Sequence, residues 1–302
     1  MVTNTGTPDE RLRIVLFTNI PGGRVYNLVH DLGHRVVGVV TTPGPRSRRS
    51  TDYLDVVASV RPGTDVIVSN HPARLAAMLA PLRPDLIISG GFTWLIPADV
   101  IALPPLGAIN MHPSLLPRHR GPHAVEWALR CGDPEIGFTV HRLAAGFDTG
   151  PILAQGSVPI LDDDLVEDVI GRFLGIVPEL LAVAIARVAR GEPGEPQDEA
   201  LATYAGRFED AWRAIDWASP ARTIHNQVRS WTGFRGMPHG AIGELEGEPV
   251  TITRTRLLDG TMDAAAPGTL LARHDESLVV QCGDGPLEIL AWTRGGIGTG
   301  EP

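Results

Sequence analysis

The sequence predicts a doubly wound α/β domain with a mostly parallel sheet, followed by a small β-barrel domain. Short, almost wholly apolar runs recur along residues 12–112, and stretches with helical periodicity separate them. Strands that are apolar on both faces are typical of parallel sheets covered by helices on both sides. After residue 207 the pattern changes to short strands separated by Gly, Asp and Pro turns, which predicts a small barrel or sandwich.

The first domain contains five strand candidates in order. They are residues 12–18, 35–42, 64–70, 85–91 and 107–112. A Gly-containing loop and a helix follow the first strand, and further helices are predicted near 53–60 and 72–84. In a sheet of this kind, sites lie just beyond the carboxyl ends of the strands. Asn110 and His112, at the end of the fifth strand, occupy that position.

The second half of the chain begins with a long helix rich in Ala, Val, Leu and Arg. Near residue 190 this helix gives way to "GEPGEPQDE", whose Gly, Pro and acidic residues are typical of a linker. A short helix near 220–231 precedes the last strands. The predicted domains are therefore 1–190 (catalytic), 191–206 (linker) and 207–302 (β-barrel).

Composition excludes several function classes. All 26 basic residues are Arg, so a Schiff-base lysine, a P-loop lysine and a lysine base are excluded. The net charge of −9 argues against bulk attraction of nucleic acid. The N-terminus has no apolar signal segment, and the apolar run at 85–103 is interrupted before it reaches bilayer length. We therefore expect a cytoplasmic protein without a membrane partner.

Three polar residues suggest chemistry at the predicted strand ends: Asn110, His112 and Asp148. A neutral His moves protons near pH 7, a carboxylate orients it, and an Asn amide donates to a developing oxyanion. Together they suit attack on a carbonyl without a Ser or Cys nucleophile. The simpler interpretation is turn chemistry, since Asn-x-His ends many strands and Asp148-Thr149-Gly150 also fits an Asx-turn.

Motifs in 107–156 decide between these interpretations. In order they are "NMH", "SLLP" followed by "RHRG", and "GFDTG". This stretch closely resembles the N10-formyltetrahydrofolate-dependent formyltransferase family. The resemblance extends over about 12–190 and into 204–229, which looks like the barrel domain of methionyl-tRNA formyltransferases. It implies a Rossmann-like first domain and a small OB-like barrel.

The resemblance also implies roles for individual residues. Asn110 and His112 would stabilise the tetrahedral oxyanion, while Asp148 would hold His112 and help to move protons through water. The co-substrate would be N10-formyltetrahydrofolate, and no metal would be required; His112, His119 and His123 show no zinc spacing. The pterin would be bound by main chain at Ser89, Gly90, Gly91, Phe92, Leu143, Ala145, Gly146 and Phe147.

The acceptor is the open question. The family formylates initiator Met-tRNA, glycinamide ribonucleotide, nucleotide amino sugars and hydroxylamines of siderophore amino acids. Met-tRNA enzymes typically carry a "GTP-x-FA"-like loop and a long basic loop, whereas this chain has "TNIPGGRVYNLV" and a short loop with Arg46, Arg48 and Arg49. Acidic residues also outnumber arginines in 207–302. The sequence thus favours a small amine or hydroxylamine, with Met-tRNA as the alternative and formyltetrahydrofolate hydrolysis below both. A non-catalytic binding protein ranks last because all three polar residues are present.

Overall fold

A computed structural model describes residues 11–44, 51–233, 239–259 and 265–294. Two compact units are present, and neither is a single continuous stretch of chain. The first comprises the described residues up to Arg120 with Phe138–Gly156 and Ile176–Ala202, and the second comprises Gly121–Gly137, Ser157–Gly175 and the described residues from Thr203 onwards. Arg46, Arg48 and Arg49 of the short arginine-containing loop lie outside the described residues.

A seven-stranded sheet runs in the order β3-β2-β1-β4-β5-β6-β7. Its strands are β1 Arg13–Thr18, β2 Arg35–Thr41, β3 Asp65–Val68, β4 Leu86–Gly90, β5 Ala108–His112, β6 Glu135–Arg142 and β7 Ile152–Pro159. The pairs from β3 through β5 are parallel, and β5 pairs with β6 antiparallel. All five predicted strands are present, and the prediction of a mostly parallel α/β sheet is confirmed.

Helices follow the strands in the alternating order that a parallel sheet requires. The helices up to the domain boundary are α1 Arg24–Asp31, α2 Asp52–Ser59, α3 Leu75–Leu79, α4 Ala98–Ile101, α5 Ala124–Cys131, α6 Val166–Leu174 and α7 Val177–Ala189. No single helix among the described residues is long and apolar enough to span a bilayer. The helices α6 and α7, which are bent by 50° relative to each other, reach that length and hydropathy only when they are taken together as one segment.

The core of the first unit lies along the central strands. Leu16 on β1 and Ile87 and Ile88 on β4 are fully buried, as their continuous apolar runs predict. Each such side chain contributes about 1.5–3 kcal/mol on burial. This rigid centre places the carboxyl ends of β4 and β5 side by side, because Ser89 pairs in register with Asn110.

The segment that resembles a linker is tied into the first unit. Glu195 forms a two-way backbone bridge with Ile152 at the start of β7. The guanidinium of Arg142 donates to the carbonyl oxygens of Glu192 and Pro193. Residues 191–202 therefore have fixed partners, while the domain boundaries at 190 and 207 stay a prediction.

The second unit contains a five-stranded antiparallel sheet in the order β10-β11-β12-β9-β8 and the helix α8, Ala221–Ser230. The strands are β8 Ala241–Leu245, β9 Glu248–Leu257, β10 Leu270–Arg273, β11 Leu278–Gln281 and β12 Pro286–Arg294. Ile224 and Val228 of α8 pack into the core of this sheet with Ile252 and Leu287. The predicted short strands and single helix are thus observed.

Candidate active site

The site begins at β5, which enters the sheet after Gly107 and ends in the turn that follows His112. Alternate residues of a strand point to the same face, so Asn110 and His112 lie on one face of the sheet. Asn110 is partly exposed, whereas His112 is only 4% exposed. The strand that ends in an ordinary turn therefore carries two polar groups, one of them buried.

Asp148 reaches these residues from the turn between β6 and β7. It adopts a φ of +55°, a left-handed conformation that Asp tolerates better than most residues. Two residues later the turn passes so close to β6 that a Cβ at Gly150 would overlap the carbonyl oxygen of Arg142. Only glycine therefore fits at this position of "FDTG", and the close contact with β6 that it allows helps to direct Asp148 towards β5.

The three predicted catalytic residues come together. Nδ1 of His112 lies 3.6 Å from Oδ2 of Asp148, and Nδ2 of Asn110 donates to Oδ1 of Asp148 at 3.3 Å. The side chains of His112 and Asp148 are 6% and 12% exposed, so their electrostatic interaction is only partly screened by water. An ordinary Asx-turn at Asp148 does not require contacts with Asn110 and His112, so the turn interpretation does not account for this arrangement.

The carbonyl oxygen of His119 fixes the tautomer of His112. It lies 2.9 Å from Nε2 of His112, and a carbonyl can only accept, so Nε2 carries the proton. In the neutral ring Nδ1 is then a free base that faces Asp148. Burial lowers the pKa of His112, and the carboxylate of Asp148 offsets this in part. The imidazole is therefore neutral near pH 7 and ready to accept a proton at Nδ1.

A second histidine, which the sequence did not indicate, completes the group. His141 on β6 pairs in register with Asn110, and its Nδ1 lies 2.8 Å from the carbonyl oxygen of Arg142. The proton is thus on Nδ1, and Nε2 accepts from Nδ2 of Asn110 at 3.2 Å. His141 and Asp148 together hold the Asn110 amide, because each accepts one of the two N–H bonds of Nδ2.

A network of hydrogen bonds holds the Pro-containing loop after His112. The hydroxyl of Thr139 donates to the carbonyl of Ser114 and accepts from the amide of Gln155. Gln155 also donates to the carbonyl of Leu116, which precedes a cis proline. These bonds fix the path of the loop from which the His119 carbonyl reaches His112.

The first group of predicted pterin contacts lies at the end of β4. Ser89 is buried, Gly90 ends the strand, and Gly91 has a φ of +64°. The ring of Phe92 packs edge-on against Phe17, with 5.1 Å between centroids. This loop therefore runs beside Asn110, with its backbone turned sharply at Gly91.

The second group precedes Asp148. The backbone N–H of Leu143 donates to the carbonyl of Ala108, which joins the start of this segment to β5. Ala145 and Gly146 are exposed, and the side chain of Phe147 is 55% exposed. An exposed phenylalanine beside a buried polar cluster is available for contact with a ligand.

A cavity of about 260 Å³ lies against the second of these segments. It is lined by Leu95, Ile96, Pro97, Ala98, Ile101, Ala144 and Ala145. Ala145 is the one predicted pterin contact in its lining, and the other lining residues are apolar neighbours that the sequence did not indicate. Its lining side chains are all apolar, whereas small-molecule sites usually combine such a lining with a few polar groups.

Among the described residues no cluster of His, Cys, Asp and Glu is arranged to hold a metal ion. Neither Cys131 nor Cys282 takes part in a disulfide. A neutral imidazole base, a carboxylate and a directed amide suit proton transfer coupled to stabilisation of an oxyanion.

Comparison with known proteins identifies the family of this chain. The formyl transferase family model matches residues 24–185, and the formyl transferase C-terminal domain model matches residues 208–296. The methionyl-tRNA formyltransferase of Pelobacter propionicus is 36% identical over 266 residues, which cover 86% of this chain and 81% of that protein.

Solved structures share the fold. The N-formyltransferase from Helicobacter canadensis, in complex with folinic acid and dTDP-3-aminofucose, matches with a TM-score of 0.68 at 17% identity, over 93% of this chain and 100% of that chain. HypX from Aquifex aeolicus, in complex with tetrahydrofolic acid, matches with a TM-score of 0.64 at 21% identity over 92% of this chain. The match spans less than half of HypX, 43%. From the two family matches and the curated relative, the chain belongs to the formyl transferase family and is a formyl-transferring enzyme.

Proposed function

We propose that the enzyme transfers a formyl group from N10-formyltetrahydrofolate to an amino or hydroxylamino nitrogen of a small-molecule acceptor. An N-hydroxy amino acid or an amino sugar of a specialised biosynthetic route would supply such a nitrogen. The observation that carries the proposal is the largely buried group of Asn110, His112 and Asp148, whose side chains contact one another. The two predicted pterin loops, and the cavity that lies against the second of them, would receive the pterin.

The geometry supports the following sequence of events. The acceptor nitrogen attacks the formyl carbon, and Nδ1 of His112 takes the proton that the nitrogen loses. The positive charge of the resulting imidazolium stabilises the oxyanion, and one N–H of Asn110 leaves Asp148 to donate to it. Asp148 stabilises the imidazolium, and the proton then passes through water to N10 of the folate. The bond between the formyl carbon and N10 breaks, which gives the formylated acceptor and tetrahydrofolate.

The pterin contacts remain those expected from the sequence. Residues 89–92 lie at the end of β4, and Ala144 and Ala145 of the segment 143–147 line the cavity. Backbone N–H and carbonyl groups can pair with the edge of a pterin, while the apolar lining accepts its faces. These contacts leave little trace in side-chain identity, so they are proposed from position alone.

Charge supports a small acceptor. In the second unit, Arg222, Arg256 and Arg273 form ion pairs with Asp162, Glu288 and Glu246 respectively. Arg213 and Arg229 are buried and donate to backbone carbonyls. The paired carboxylates reduce the positive charge that these arginines present to a phosphate, and the chain as a whole carries a charge of −9.

Met-tRNA is the second candidate. The curated relatives with 34–36% identity are methionyl-tRNA formyltransferases, and this observation favours the same acceptor here. Tight tRNA binding depends on phosphate contacts and weakens steeply with salt. Turnover of Met-tRNA by this enzyme would therefore fall strongly between low and physiological salt, whereas turnover of a small neutral amine would change little.

The experiment is a turnover assay with N10-formyltetrahydrofolate that follows release of tetrahydrofolate. Acceptors are charged initiator Met-tRNA and a panel of small amines, N-hydroxy amino acids and nucleotide amino sugars. Turnover with a small acceptor and none with Met-tRNA is expected. Turnover with Met-tRNA alone would refute the small acceptor, and equal turnover without any acceptor would indicate a hydrolase.

A further inference from the structure

We infer that Gln197, in the segment that resembles a linker, is a positioning residue that holds the Asp148 turn in its reactive geometry. The inference rests on the proposed function, because it assigns a task to Asp148. Gln197 lies in "PQDEA", outside all the motifs that indicate the site. Its side chain touches neither His112 nor Asn110, so any influence on the reaction passes through the backbone that it binds.

The amide of Gln197 binds the backbone on both sides of Thr149. Nε2 donates to the carbonyl oxygen of Asp148 at 2.8 Å and to that of Gly150 at 2.7 Å. Both N–H bonds of the Gln197 amide are therefore donated to the same turn. A turn with a left-handed Asp and a sterically constrained Gly has few alternative ways to satisfy its carbonyls, and buried carbonyls need a partner.

The oxygen of the same side chain binds the loop that carries His119. Oε1 of Gln197 accepts from Nε and Nη2 of Arg120 at 3.1 and 2.7 Å. Arg120 is held in turn by a two-pronged pair with Glu199. Since the carbonyl of His119 sets the tautomer of His112, Gln197 joins the two backbone segments that position the acid–base pair.

An amide is the group that this position requires. The side-chain amide of Gln197 donates to two carbonyl oxygens through its nitrogen and accepts from a guanidinium through its oxygen. If the amide were flipped, its oxygen would face the two carbonyls and its NH2 group would face the guanidinium. A carboxylate would keep Arg120 and lose both bonds to the turn. A leucine would lose all four hydrogen bonds at nearly the same volume. The two substitutions therefore separate the bonds to the turn from those to Arg120.

Gln227 offers a matched control. Its Nε2 also donates to two carbonyls two residues apart, those of Trp212 and Ala214, at 2.8 and 2.9 Å. Gln227 is buried in α8 of the second unit. Q227L therefore removes the same kind of clamp at a place without a role in the proposed chemistry.

The test compares kcat and KM of Q197L, Q197E and Q227L with wild type, in the background of the natural Asp148 and of D148N. We expect kcat to fall tenfold or more in both Gln197 variants, with KM for the folate changed less than threefold, and less than twofold in Q227L. In the D148N background, Q197E, which keeps the bonds to Arg120, should lower kcat less than twofold, because its effect passes through the Asp148 carboxylate. A tenfold loss in both backgrounds would overturn the inference and indicate a merely structural role.

Amide hydrogen exchange of 145–150 provides a readout that does not depend on turnover. Faster exchange there in Q197L and Q197E, with wild-type exchange in Q227L, supports the clamp. Wild-type exchange and kcat in both Gln197 variants would refute it. If the wild-type enzyme turned over no acceptor, the proposed function would fail, and the exchange rates would still decide whether Gln197 holds the turn.

Discussion

Asp148→Asn removes a charge from the site with little change of shape. The introduced side-chain amide would still accept the hydrogen bond from Asn110 through its oxygen, whereas the interaction with an imidazolium at His112 would be lost. At 3.6 Å, two unit charges interact by about 4.6 kcal/mol at an effective dielectric constant of 20 and by about 1.2 kcal/mol in bulk water. The side chains are 12% and 6% exposed, which favours the larger figure.

The new amide recovers part of that energy, so we expect kcat to fall about 10²- to 10³-fold, at 1.36 kcal/mol for each factor of ten. The assay is release of tetrahydrofolate from N10-formyltetrahydrofolate with the acceptor that the panel identifies. Asp85→Asn is the control, since Asp85 caps Arg13 at the opposite end of β4. If D148N kept more than a third of wild-type kcat while D85N behaved likewise, the carboxylate would have no role in the reaction.

Three further predictions concern pH and packing. Because burial lowers the pKa of His112, kcat should fall on acidification with a midpoint below 6.5, and a midpoint above 6.5 would contradict the neutral base. Burial also lowers the pKa of His225, so on acidification both His112 and His225 are protonated at a higher pH in the unfolded chain than in the folded one. Protonation therefore favours the unfolded chain, and Tm should fall as pH drops below 6.5. A flat Tm from pH 7.5 to 5 would be inconsistent with this. Gly150→Ala should lower both Tm and kcat because its Cβ overlaps the Arg142 carbonyl, whereas Gly171→Ala, in open space on α6, should raise stability by about 0.5–1 kcal/mol. Thermal unfolding of the two variants checks this pair, and equal Tm values would count against it.

Some properties of this protein follow from local sequence alone. Apolar runs of strand length alternate with helical periods, and these patterns determine the parallel sheet because each depends on neighbours a few residues away. The Asn-x-His pair is placed on one face by the two-residue repeat of a strand. The three motifs with their spacing then indicate the family and its three reactive residues.

Tertiary structure decided how those residues are oriented. His141 becomes the partner of Asn110 through the register of β5 with β6, and Gln197 meets Asp148 and Arg120 from 49 and 77 positions away along the chain. Local sequence patterns do not encode such long-range register or the closure of a segment onto a distant turn. A stretch rich in Gly, Pro and acid therefore reads as a linker, although one of its amides binds the turn that carries Asp148. The tautomer of His112 depends in the same way on the carbonyl that the folded loop presents to it.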